Sequence, residues 1–205
     1  MILHKPVSRK NPLILASLSP RRKDILTQIG VPFQSVGSRV GEAARKRMKP
    51  EDFACLMATR KAESVKQVYR RRWILGADTL VVIKKTIFGK PKDAQECRSM
   101  LLDLSGKLHR VITGFCILEP GGNRTHLEAV STRVTVKELS ELEIEAYIQT
   151  AEPFDKAGAY AIQGIGAFMI EGIEGSYTNV VGLPVCEVVR ALIICGALKG
   201  FPITP

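Results

Sequence analysis

Asp78 ends the apolar run WILGAD (Trp73 to Asp78), and a carboxylate there is costly to bury without a partner. It can bind a divalent metal, act as a general base on water, or serve as a hydrogen-bonded turn residue. A second set of reactive types lies in LASLSPRRKDIL (Leu15 to Leu26), which reads as a strand end, a tight turn and a helix start. Ser19 suits the N-cap and Pro20 the first helical position. Arg21 and Arg22 then stand in the first turn, where the helix dipole disfavours each cation by ~0.3–1 kcal/mol. Either both guanidiniums point into solvent, or Ser17, Ser19, the free backbone N–H groups and the two arginines form an anion site.

Two further positions fit a phosphorylated ligand. Lys90, between Gly89 and Pro91 in GKPKD, can meet a phosphate as a point charge or remain a solvated loop lysine. No G-x-x-x-x-G-K-[ST] pattern is present, so this is not a P-loop. Gln163 lies in the glycine-rich stretch Asp155 to Gly182, where its amide can read a base edge or sit exposed on a strand.

The elements that must carry these residues follow from periodicity and punctuation. A strand is expected over 13–16, a helix from Pro20 to about Ile29 stopped by Gly30 and Pro32, and a strand over 33–36. Pro50-Glu51-Asp52 opens a helix to about Tyr69. Strands follow over 73–83, then a turn at Gly89 and Pro91, then a helix capped by Asp93. HRVITGFCILEP and Val130 to Val136 alternate as strands about Gly121-Gly122. Ser140 starts another helix, the glycine-rich stretch reads as β-like, and the chain finishes in an apolar helix. Strands and helices interleave without strict βαβ regularity, which predicts an α/β fold: a mixed, strongly twisted sheet flanked by helices, with the active-site cleft between two lobes.

Bulk properties narrow the function classes. The chain has 205 residues, 45% hydrophobic and 24% charged, enough for one globular domain over 1–205, with residues 1–12 as a loosely ordered N-terminal extension. No apolar run reaches the ~20 residues of a bilayer span, and MILHKPVSRKNP lacks a signal-peptide apolar region, so a cytoplasmic location is expected. The 5 cysteines and 3 histidines show neither C-x-x-C pairs nor zinc-ligand spacing, which suits reduced core thiols. The net charge of +10, concentrated at Ala44 to Lys49, Arg60-Lys61 and Tyr69 to Trp73, attracts polyanions or forms a solvated basic face. No nucleic-acid motif accompanies it, so a small polyanion is the preferred partner and nucleic acid is only weakly supported.

In this order, ASLSPRRKDIL, TRKA, GADTLVV, FGKPKD, LSGKLHRVITG, EPFDKAGAYAIQG and GSYTNVVGLPV resemble the Maf family of nucleoside triphosphate pyrophosphatases. EPFDKAGAYAIQG is similar to the branch acting on dTTP and UTP. The resemblance implies hydrolysis between the α- and β-phosphates, giving a nucleoside monophosphate and pyrophosphate. It implies Asp78 as proton acceptor, with Lys90 and Glu42 also catalytic. Ser17, Arg21, Arg22, Lys61, Thr79 and Gln163 match substrate-binding positions, with Arg21, Thr79 and Gln163 selecting the substrate. Glu42 and Asp78 match positions that hold a divalent cation, Mg²⁺ or Mn²⁺, and family members commonly form homodimers. Where the family often has an acidic pair, this chain has Gly41 beside Glu42, which implies weaker metal binding or a shifted metal preference. A binding module of the same fold, holding nucleotides or nucleic acid without turnover, is the alternative.

Overall fold

The computed structural model describes residues 4–38, 40–41, 48–84 and 86–203. The elements in chain order are β1 (Leu13–Leu15), α1 (Pro20–Gln28), β2 (Phe33–Ser35), α2 (Pro50–Val65), β3 (Ile74–Ile83), β4 (Thr86–Phe88), α3 (Ala94–Leu104), β5 (Leu108–Leu118), β6 (Arg124–Val136), α4 (Glu141–Gln149), β7 (Ile170–Glu174), α5 (Tyr177–Val181) and α6 (Val185–Ile194). The sheet is seven-stranded and mixed, in the order β2-β1-β3-β5-β6-β7, with β4 also on β3. β1 runs parallel to β2 and β3, with Leu13 opposite Phe33 and Ile14 opposite Ile74. β4 folds back antiparallel on β3, and β7 is antiparallel to β6. The expected α/β fold with a mixed sheet and helices is present.

Two compact units are distinguishable: residues 1–78, 113–130 and 182–205 in the first, and 79–112 and 131–181 in the second. In the first unit, Ile14, Ala16 and Ile74 pack with Ala58, Ala62 and Val65 of α2 and with Cys116 and Leu118. The N-terminal segment contributes as well: Val7 is buried and its N–H bonds to Ala197, while the Trp73 indole N–H donates to the Lys5 carbonyl. In the second unit, α3 buries Cys97, Met100, Leu101 and Leu104, an i, i+3, i+4, i+7 stripe. That stripe meets Val81, Val111, Val134, Ile144 and Tyr147 in one cluster.

The start signals act as their chemistry requires at two helices. Asp93 accepts the Glu96 N–H at 2.8 Å, and Ser140 with Glu143 forms a full capping box. At α1 the outcome differs: Ser19 occupies the N-cap position, but its side chain makes no capping bond. The Ser17 hydroxyl accepts the Ser19 N–H at 3.3 Å instead. The β-like reading of the glycine-rich stretch is corrected: residues 152–169 form three short 3-10 turns, and only β7 is extended. Among the described residues no helix is long and apolar enough to cross a membrane. All five cysteines are free thiols.

His109 is the one histidine in the core, 1% exposed, with Nε2 against the Tyr160 hydroxyl at 2.8 Å. Burial pushes its pKa down from 6.5 to about 4. The fold therefore holds it neutral, whereas the unfolded chain takes up a proton below the ordinary value. Stability is complete above about pH 6.5 and declines as pH falls toward 4, by on the order of 3 kcal/mol from this group. Urea unfolding at a series of pH values should show that loss in the wild type, with a shallower slope in His109→Gln between pH 6.5 and 4.

Candidate functional site

In the first unit, two residues singled out by sequence meet as an ion pair. Lys61 Nζ lies 2.5 Å from Asp78 Oδ1, with the two side chains 21% and 16% exposed. Backbone packing sets this distance. Gly76 lies two residues before Asp78, so both face the same side of β3. A Cβ on Gly76 would stand 2.2 Å from the Ala58 carbonyl oxygen and 2.9 Å from the Ala62 Cβ. Helix α2 therefore rests directly on the strand backbone, and Lys61, beside Ala62, is delivered to the carboxylate. Gly114 on β5 performs the same service, since its Cβ would be 2.5 Å from the Ala54 carbonyl oxygen.

Arg22 is buried, 7% exposed, and is not turned to solvent. Its Nε donates to the Gly182 carbonyl at 2.8 Å and its Nη1 to the Ser17 hydroxyl at 3.1 Å. Burial lowers its pKa, while the Asp78 carboxylate raises it and Arg21 lowers it. Arg22 thus lies in the field of both Asp78 and Arg21, so the start of α1 and the middle of β3 share one electrostatic neighbourhood. Arg21 is half-buried and engaged with neighbours. Ser17 is itself buried, 6% exposed. The sequence left the direction of both arginines open; the fold settles it for Arg22 through a carbonyl 160 residues away, a partner no local pattern discloses.

The second unit carries Thr79, Lys90 and Gln163. Thr79 is half-buried and has polar partners. Lys90 is exposed and makes no hydrogen bond among the described residues, as is true of Gln163. The turn before Lys90 and the segment leading to Gln163 are tied together by the Gly158 N–H, which donates to the Gly89 carbonyl at 3.0 Å. Gly158 has φ +74, and a Cβ there would approach Val81 to 2.7 Å, so only glycine fits that close approach without strain.

Glu42 lies outside the described residues. Among those described, no group of three or more His, Cys, Asp or Glu could by itself hold a metal ion. Asp78 nevertheless suits a hard cation. It is a partly buried oxygen donor paired with Lys61, and Mg²⁺ takes one or two carboxylates while phosphate oxygens and waters fill the remaining positions.

Residues 12–194 match the family described as Maf-like protein. A protein of Geotalea uraniireducens named dTTP/UTP pyrophosphatase is 48% identical over 190 residues, spanning 93% of this chain and 98% of that one. A protein of the same name from Syntrophotalea carbinolica is 46% identical over 198 residues, 96% of this chain and 90% of that one. Among solved structures, a nucleoside-triphosphatase / dITP/XTP pyrophosphatase from Mycobacterium abscessus overlaps 61% of this chain and 74% of that chain, at 15% identity and a TM-score of 0.40.

The packing at Gly76 makes a quantitative claim. Gly76→Ala must push α2 away from β3, an overpacking cost of about 1–3 kcal/mol in urea unfolding. Gly200→Ala, where an added Cβ meets nothing within 4 Å, should shift stability by less than about 0.5 kcal/mol.

Proposed function

The chain belongs to the Maf-like protein family, and on that premise we propose that it hydrolyses dTTP and UTP to the nucleoside monophosphate and pyrophosphate. The observation that carries this reading is the Lys61–Asp78 ion pair, whose carboxylate acts electrostatically on Arg22 in the first turn of α1. A triphosphate carries roughly four negative charges, and its cleavage demands positioning and charge stabilisation more than covalent chemistry. The start of α1, which no side chain caps, supplies the positive end of the dipole and the guanidinium of Arg21. Arg22 acts from behind this surface: it anchors the Ser17 hydroxyl and the Gly182 carbonyl, and adds its charge without leaving the core. Lys90 supplies a mobile point charge for the phosphate chain.

Asp78 is the proton acceptor for the attacking water. Its carboxylate is held by Lys61 on one oxygen, so its direction is set before substrate arrives. In the free protein the Lys61 ammonium balances the carboxylate; a bound phosphate offers the same ammonium a second anion. Asp78 and Glu42 would hold a divalent cation, Mg²⁺ or Mn²⁺. When bound, that ion polarises the phosphoryl oxygens and acidifies water. Thr79 and Gln163 select the substrate, Gln163 through an amide that presents a donor and an acceptor to a base edge.

Asp78→Asn removes the base but keeps the side chain's size and a hydrogen-bonding oxygen. Pyrophosphate release from dTTP at saturating Mg²⁺ should fall by about 10²–10⁴ in kcat, with KM altered far less. Near-normal kcat in that variant would remove Asp78 from the role. Absence of pyrophosphate release by the wild type from any nucleoside triphosphate, with Mg²⁺ or Mn²⁺, would overturn the reaction itself.

A further inference from the structure

The turn that presents Gln163 is fastened by two side chains with no part in the chemistry above. Tyr147, 1% exposed on the buried face of α4, donates its hydroxyl to Glu152 Oε1 at 2.8 Å. The same hydroxyl accepts the Ala161 N–H at 3.2 Å. Glu152 accepts the Ile165 N–H at Oε2 (2.9 Å) and the Gly166 N–H at Oε1 (3.0 Å). The backbone is therefore pinned two residues before Gln163 and again two and three residues after it.

The glycines in this turn are shaped around the same pair. A Cβ at Gly164 would lie 2.1 Å from Glu152 Oε2, and one at Gly166 would lie 2.6 Å from the Tyr147 hydroxyl. Between these fixed points the Gln163 side chain is exposed, with no hydrogen bond to any described residue. An unengaged amide on an immobilised backbone is suited to reading a ligand, because little backbone freedom remains to be lost on binding. A uracil or thymine ring offers an N–H flanked by two carbonyl oxygens, which the amide's paired acceptor and donor can match. Cytosine places an amino group and a bare ring nitrogen there, reversing the pattern. Discrimination then depends on how firmly the amide is aimed.

We propose that Tyr147 and Glu152 are positioning residues that aim the Gln163 amide and so set selection of uracil and thymine nucleotides over cytosine nucleotides. This inference rests on the reaction proposed above, with Gln163 as its base-reading group. A carboxylate serves here because one Glu152 side chain accepts three donors at once, and an ionised acceptor binds N–H groups more strongly than a neutral one.

The test compares kcat and KM for dTTP and dCTP in the wild type, Glu152→Gln, Tyr147→Phe, Gln163→Ala and the Glu152→Gln/Gln163→Ala double variant. Glu152→Gln should lower the dTTP-to-dCTP ratio of kcat/KM by about tenfold, through KM, with kcat for dTTP within about twofold. Once Gln163 is alanine, Glu152→Gln should leave the ratio unchanged, which a merely structural role would not produce. Tyr147→Phe keeps the ring and should shift the ratio in the same direction, so it decides the matter if Glu152→Gln fails to fold. An unchanged ratio in these variants, or a further fall of the ratio in the double variant, overturns the proposal. Amide exchange gives a readout independent of turnover: Ile165 and Gly166 should exchange slowly in the wild type and faster in Glu152→Gln, measured well below the Tm of both proteins. Equal exchange in both overturns the fastening even if no triphosphate is hydrolysed, an outcome that would separately sink the reaction.

Discussion

Contact between a helix and a bare strand backbone governs the reactive part of the first unit. Helix α2 can approach β3 only because Gly76 has no side chain, and Ala58 and Ala62 present the smallest possible surface to it. From that approach follows the distance between Lys61 and Asp78, since each is a near neighbour of the contact along its own element. The ion pair is then a consequence of packing and not an independent bond that happens to form. A partly buried ion pair gives little net stability by itself, because desolvation offsets most of the Coulomb attraction. Its value lies in position: a carboxylate and an ammonium are kept together, partly dry, midway along a rigid strand.

The second unit solves a different problem with polar side chains. Residues 152–169 contain no regular element longer than a 3-10 turn, so their backbone groups need other partners if the segment is to hold one shape. Glu152 and Tyr147 supply several of them, and Gly158 bonds to Gly89 to tie in the Lys90 turn. A segment fixed this way gains precision without a helix or strand, but it depends on a handful of bonds. Loss of any one partner leaves a backbone group unpaired, whereas a helix would lose one bond among many.

The sequence was most legible where local chemistry decides structure. Asp93 and Ser140 are capping residues by type and spacing, and both cap. The apolar run ending at Asp78 is a strand because so continuous an apolar stretch must be buried on both faces. Legibility failed where partners outside an element decide its shape. β4 is three residues long and exists only because it pairs with β3. The glycine-rich stretch mimics a strand, since apolar residues and glycines intermix, yet side chains from α4 and residue 152 bend it into turns. The candidate residues could be named from the chain alone; that Gly76 sets the spacing of two of them, and that Glu152 fastens the turn of a third, could not.

Arg22 brings these strands of argument together. A cation in the first turn of a helix is disfavoured by the dipole, and a buried guanidinium adds a desolvation cost. The desolvation cost is visible here, for burial is the largest influence lowering its pKa, and the neighbouring Arg21 acts in the same direction. What opposes them is a set of fixed acceptors: the Gly182 carbonyl, the Ser17 hydroxyl and the field of Asp78. Two of these belong to the turn at which phosphate is proposed to bind and to the proposed base. The arginine that looks misplaced in the sequence is thus a joint between the anion-binding turn and the catalytic strand. Its positive charge is tolerated because the same acceptors that satisfy it must themselves be held still. An arginine pointing to solvent would bind phosphate as well or better, but it would remove the two bonds by which Arg22 joins Ser17 to Gly182.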